Sequence, residues 1–173
     1  MSNAPTPFVQ VPLDFDDEFP DADRLSTEVF LNIGVLSGSV RAAFTQLLAA
    51  EGITSMGAFN VLTVVHGDPR PLPPSVIADR MMVSRPTITG LLDSLEARAL
   101  VTRAASDGDG RQRVVRLTRR GRAIVDRVVP RAHQFERDLF SCLSRKEIAA
   151  LRITVAKLQH QLIALAPAAP IGI

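Results

Sequence analysis

The chain has 173 residues, 46% of them hydrophobic, and a formal net charge of +2. That is long enough to bury one sizeable core and too apolar for wholesale disorder. No uninterrupted apolar run approaches the roughly 20 residues of a membrane span, so no membrane partner is expected, and the acidic start is the opposite of a basic signal peptide. A single Cys142 permits no intrachain disulfide and gives no metal cluster, which fits a reducing, cytoplasmic setting.

The small net charge hides an asymmetry. Residues 1–23 hold six acids (Asp14, Asp16, Asp17, Glu18, Asp21, Asp23) and no Lys or Arg, leaving 20 basic against 12 acidic residues in 24–173. Between Arg70 and Arg122 there are 11 Arg and five acids. Such an excess suits a polyanion, although a solvated face explains charge alone equally well.

Taken in chain order, residues 1–23 show no period and read as a flexible acidic arm. From residue 24 to about 50, apolar residues recur at three- and four-residue steps, which predicts a long amphipathic helix stopped by Gly52. Thr54 or Ser55 caps a second helix ending near Gly67. The proline-rich stretch 67–74 can only be a connection. A short helix over 75–81 and a longer one over 84–99 follow, separated by Met82-Val83. Two alternating segments around Ser106-Asp107-Gly108-Asp109-Gly110 predict a hairpin. Thr118 opens a helix to about Phe140, which Pro130 should kink or interrupt. Ser144 and Glu147 have capping-box spacing and start a last helix to about Leu165, before a tail over 166–173.

The chemistry lies in the middle. Ile77, Met81, Val83, Ile88, Leu91 and Leu92 are spaced to form a small core between two crossing helices, with Ala78 at the close approach. This is helix-turn-helix spacing. It turns Ser84, Arg85, Pro86, Thr87, Thr89 and Gly90 outward at the N-terminal turn of the second helix. A helix fits the major groove of double-stranded DNA, with its positive end towards phosphate. Arg85 can read guanine or hold a phosphate. The two threonines can bond a base edge or the backbone, and Ser84 doubles as N-cap. In the hairpin, Arg103, Arg111 and Arg113 make a basic wing suited to the minor groove, with Asp109 placed to orient Arg111. A solvated turn is the simpler reading of an isolated hairpin; one directly after a helix-turn-helix favours DNA.

The run from Ser84 through Leu95-Glu96-Ala-Arg-Ala-Leu-Val101, followed by Asp109-Gly-Arg111 and Leu117-Thr118-Arg-Arg-Gly121, resembles the MarR family of bacterial regulators over roughly residues 24–165. The resemblance implies a mainly α fold: a winged helix-turn-helix lobe over 54–118, with long dimerisation helices over 24–50 and 119–165. It implies a ligand-responsive homodimer on a pseudo-palindromic operator, usually a repressor, with Arg111 in the minor groove and Asp109 its orienting partner. Three departures stand out. Gly90 replaces a contacting side chain, Ala99 replaces the usual glycine before Leu100, and Gly108 and Gly110 flank Asp109.

The terminal apolar stripes, including Leu25, Val29, Ile33, Leu158, Leu162 and Leu165, exceed what one small head can cover and predict a dimer interface. Family pockets lie beside the dimer helices, so Phe44, Phe59, Val65 and His66 are candidates to line a small-molecule effector site, though each also reads as core. Cys142 is expected to be a buried, inert thiol. No cofactor or metal site is expected, and no enzyme chemistry: phosphate-binding loop, metal-ligand spacing and nucleophile–base pair are all missing. The alternative is a winged-helix protein-interaction module without specific DNA binding, which would have no need of the arginines on helix and wing.

Overall fold

The computed structural model describes residues 8–105 and 113–165. The elements are α1 (Phe15–Glu18), α2 (Arg24–Ala50), α3 (Met56–His66), α4 (Pro74–Met81), α5 (Arg85–Ala97), β1 (Val101–Ala105), β2 (Arg113–Leu117), α6 (Arg119–Leu139) and α7 (Arg145–Leu165). They fall into two compact units, Met1–Phe44 and Thr45–Ile173.

In the first unit, the stretch expected to be a flexible arm is tied down from residue 9 onward. The side-chain amide of Asn32 pairs with the Val9 backbone in both directions, at 2.9 and 2.8 Å, and the Val11 amide donates to Glu28. Val11 is buried. Asp16 accepts from the Arg24 amide, and Asp23 caps the first turn of α2 through the Ser26 amide at 2.9 Å. The acids therefore satisfy amides that a helix start leaves without partners. Charge and proline content alone had concealed that role.

α2 also qualifies the expectation about apolar runs. Its most apolar stretch has a mean hydropathy of 1.3, enough by length and composition to cross a membrane, and 11% of that stretch is buried. Leu25, Val29, Phe30, Leu31, Ile33, Val35 and Leu36 are all exposed.

The second unit holds the main core. Leu48, Ile53, Val61, Leu62, Ile77, Ile88, Leu92, Leu95, Leu100, Val101, Val115, Val125 and Val128 are essentially inaccessible to water. α3 starts where the Ser55 hydroxyl accepts from the Ala58 amide. Leu91 of α5 packs on Gly57 of α3, where a side chain's first carbon would come within 3.2 Å of its methyls. β1 and β2 pair antiparallel, Val101 opposite Leu117 and Ala105 opposite Arg113. Leu72 adds a third short rung, exchanging backbone bonds with Val115 at 2.8 and 3.3 Å. The proline-rich connection is thus a sheet edge for one residue.

Three helices close with the same paired backbone bonds. At the end of α2, Ile53 N–H reaches Leu48 and Gly52 reaches Ala49; at α4, Val83 reaches Ala78 and Met82 reaches Asp79; at α5, Leu100 reaches Leu95 and Ala99 reaches Glu96. This closure needs a left-handed residue. Gly52 supplies it at φ 75°, but Met82 and Ala99 adopt it at φ 54° and 55° despite their side chains. Left-handed backbone costs a non-glycine residue about 1 kcal/mol. Ala99→Gly should therefore raise stability by roughly that amount, read as a higher urea midpoint at unchanged slope. An unchanged or lower midpoint would show that the Ala99 methyl makes a compensating contact.

One expectation fails further along and another is decided in part. α6 continues through Pro130, so the proline does not interrupt the helix. Pro130 and Asp126, whose carbonyl loses its helical donor, are both exposed, so water can replace the missing bond. Cys142 is exposed rather than buried, because it sits in the turn between α6 and α7, its Sγ 3.7 Å from the Leu139 carbonyl. The Ser144–Glu147 box forms as expected, with reciprocal bonds at 2.8 and 3.3 Å. α7 then exposes Leu151, Ile153, Val155, Leu158, Leu162, Ile163 and Leu165.

Candidate nucleic-acid interface

The crossing pair α4–α5 buries Ile77, Ala78, Met81, Ile88, Leu92 and Leu95. Val83 and Leu91 are half-buried. With that face fixed inward, Arg85, Pro86, Thr87, Thr89 and Gly90 are exposed and Ser84 is half-buried at the helix start. Ser84 caps the helix, accepting from the Thr87 amide at 3.3 Å, and its hydroxyl lies 2.8 Å from that of Thr87. Pro86 stands in the first turn, where its missing N–H costs nothing.

The polar groups of this turn differ in what they can offer DNA. The Thr89 hydroxyl donates to the Arg85 carbonyl at 3.0 Å, which leaves it only as acceptor and methyl contact. Arg85 has no side-chain partner among the described residues. It is the group on this turn with its full set of donors available. Gly90 faces open space.

The wing divides in the same way. Arg103, expected on DNA, is engaged within the protein. Its guanidinium bonds Glu96 at 2.6 and 2.9 Å and Asp93 at 2.6 Å, while its backbone amide donates to the other Glu96 oxygen at 2.9 Å. Asp93 and Glu96 lie one turn apart on α5, so this cation clasps the wing to the reading helix. The acids at that spacing, with an arginine just beyond the helix end, were the available signal. Arg113 on β2 is exposed and donates to the Arg103 carbonyl at 3.4 Å. Asp109 and Arg111 lie outside the described residues.

The clasp has a pH signature. Bonds from the Arg103 side chain and then from its backbone amide hold the Glu96 carboxyl below its ordinary value of 4.5. A carboxyl depressed on folding contributes its stability above that ordinary value and loses it as pH falls through the lower folded value. Glu96→Gln should therefore lower stability at neutral pH and flatten the acid limb of the stability–pH curve below about 4.5. Parallel curves for the two proteins would refute the clasp.

The base of the wing explains the Leu117-Thr118-x-x-Gly121 pattern. Thr118 Oγ1 donates to the Ala99 carbonyl at 2.7 Å and accepts from the Gly121 amide at 2.9 Å, while the Thr118 amide bonds the Leu100 carbonyl at 3.0 Å. Gly121 lies directly against that same carbonyl. One carbonyl and one hydroxyl therefore join the end of the reading helix, the wing and the start of α6.

This geometry has counterparts among known proteins. The profile of the MarR family matches residues 51–112. Similarity to the HTH-type transcriptional regulator PecS of Dickeya dadantii (strain 3937) extends over 152 residues at 30% identity, covering 85% of this chain and 89% of PecS. The chain belongs to the MarR family of DNA-binding transcriptional regulators. Among solved structures, the repressor CouR bound to a 23-mer DNA duplex is 28% identical, with a TM-score of 0.67 over 78% of this chain and 94% of CouR. CouR from Rhodococcus jostii RHA1 bound to p-coumaroyl-CoA aligns with a TM-score of 0.68 at 23% identity, covering 79% of this chain and 95% of that one, a likeness of fold. Like other MarR regulators, the protein is a homodimer that binds double-stranded DNA.

The effector candidates fall in both units. Phe44 is buried in the first unit. In the second, Phe59 and Val65 belong to α3, Val65 buried and Phe59 half-buried. His66 ends that helix with Nε2 3.9 Å from Asp126 of α6. Its Nδ1 is buried with no hydrogen-bond partner.

Proposed function

We propose that the protein is a ligand-responsive repressor of the cytoplasm that binds a pseudo-palindromic operator through two copies of the α5 turn and the wing. The observation that carries this reading is Arg85. It is exposed on the first turn of a helix whose opposite face is locked into the core, and a second basic element is clasped alongside by Arg103. A single head contacts few base pairs, and symmetry doubles every contact. The exposed apolar stripes of α2 and α7 supply the dimer surface in this proposal, each too extensive to remain in water. Ser84, Arg85, Pro86, Thr87 and Thr89 would meet the major groove, and Arg113 with Asp109 and Arg111 would meet backbone and minor groove. Arg103 serves by holding the wing.

Ligand response is supported by the CouR structure with p-coumaroyl-CoA, whose fold this chain shares. On the protein side, the unpartnered Nδ1 of His66 is a group that a bound effector could satisfy.

Fluorescence anisotropy against the intergenic DNA beside the protein's own gene tests the repressor reading. Binding should be specific and should weaken about 10³-fold or more between 50 and 200 mM salt if six or more phosphates are contacted. Equal affinity for that DNA and for random duplex at every salt concentration would favour a protein-interaction module instead.

A further inference from the structure

Arg98, at the C-terminal end of the reading helix, has a role outside the DNA contacts. Its side chain turns back to the segment between α2 and α3. One guanidinium nitrogen donates to Thr54 Oγ1 at 3.3 Å and the other to the Gly52 carbonyl. Glu51, the neighbour of Gly52, is engaged by a different helix. Its largely buried carboxylate receives Arg127 at 3.4 Å and Arg131, both on α6. Gly52 is left-handed and the next residue, Ile53, is fully buried, so this short segment cannot slide freely. Two adjacent residues thus receive the end of the reading helix and the long helix α6.

We propose that Arg98 is a positioning residue that sets the angle of the reading helix against α6, and so fixes the half-site spacing the dimer accepts. The inference rests on the proposed operator reading. In a two-fold dimer, the direction of each reading helix is defined relative to the helices that lead to the partner. A swing at Arg98 therefore changes the separation of the two heads and leaves the chemistry of each head intact. Inserting one base pair between half-sites moves them about 3.4 Å apart and turns them by about 35°. A rigid pair of heads must deform the DNA to recover that change, and a loosened pair need not.

The experiment begins with wild-type protein and a pool of duplexes randomised at the centre, from which the bound fraction is enriched and sequenced. Duplexes are then made from the enriched site with one base pair added or removed between its halves. Wild-type protein should lose about tenfold or more in affinity on the altered spacings. Arg98→Ala should lose only about threefold on them, while its salt dependence and its preference for half-site sequence stay those of wild type. Arg98→Lys, which restores a cation to the Gly52 carbonyl, should recover most of the spacing penalty. Glu51→Gln loosens the other arm of the junction and should act like Arg98→Ala. A wild-type spacing penalty retained in both Arg98→Ala and Glu51→Gln would overturn the proposal. So would an equal loss of affinity at every spacing. A wild-type protein that enriches no duplex would overturn the operator reading, and this inference with it.

Discussion

Gly121→Ala should lower the stability of the protein by about 4 kcal/mol and its melting temperature by roughly 10 °C. A first side-chain carbon at Gly121 would lie 2.0 Å from the Leu100 carbonyl oxygen, 2.9 Å from its carbon and 3.3 Å from the Leu100 Cα. All three are backbone atoms of a residue that is itself fully buried, so no rotamer change relieves the overlap. Moving α6 away would break the Thr118 bonds to Ala99 and Leu100, each worth about 1 kcal/mol, and reopen the packed end of the reading helix. Thermal and urea unfolding would show the loss. Gly90→Ala is the matching control: its new methyl meets open space, and alanine is the better helix former by up to about 1 kcal/mol. Equal destabilisation by both substitutions would mean that the close approach at Gly121 is not what demands glycine.

Arg85→Ala should weaken operator binding by between about 30-fold and 10⁴-fold while leaving the melting temperature unchanged. A bidentate arginine–guanine contact is worth about 1–3 kcal/mol, and the dimer presents it twice. Arg85 is exposed and has no side-chain partner among the described residues, so its removal opens no cavity and strands no charge. Thr89→Ala should cost far less, because its hydroxyl already donates to the Arg85 carbonyl. Anisotropy titrations at fixed salt compare the three proteins on operator and random duplex. A selective loss on operator assigns Arg85 to a base, and an equal loss on both assigns it to a phosphate. Unchanged affinity on both would remove Arg85 from the interface.

Most of the architecture was legible because it is written locally. Helix caps at Ser55, Ser84, Thr118 and Ser144 appear where serine or threonine precedes an apolar period, and each makes the expected bond. The buried face of α5 followed from spacing alone. What escaped depends on pairs distant in sequence. The N-terminal segment looked unstructured because its order comes from Asn32 and Glu28, which hold Val9 and Val11 from α2. Arg103 looked like a DNA contact because its two carboxylate partners sit on another element. Gly121 was recognisable as part of a pattern, but its cause is the carbonyl of Leu100, 21 residues earlier in the chain. Pro130 does not interrupt α6, because its penalty depends on whether the freed carbonyl meets water.

The open space beside Gly90 bears on time as much as on affinity. Contacts at an interface act chiefly on how slowly the partners separate, so in the proposed interface a bare helix position on the reading face would shorten the residence of the protein on its site. A promoter guarded by a short-lived complex clears soon after conditions change, and it is occupied only while the protein is abundant. An arginine or lysine at this position would lengthen that residence without disturbing the core. In that proposed interface the glycine is a place where the speed of a genetic response would be set by a single codon.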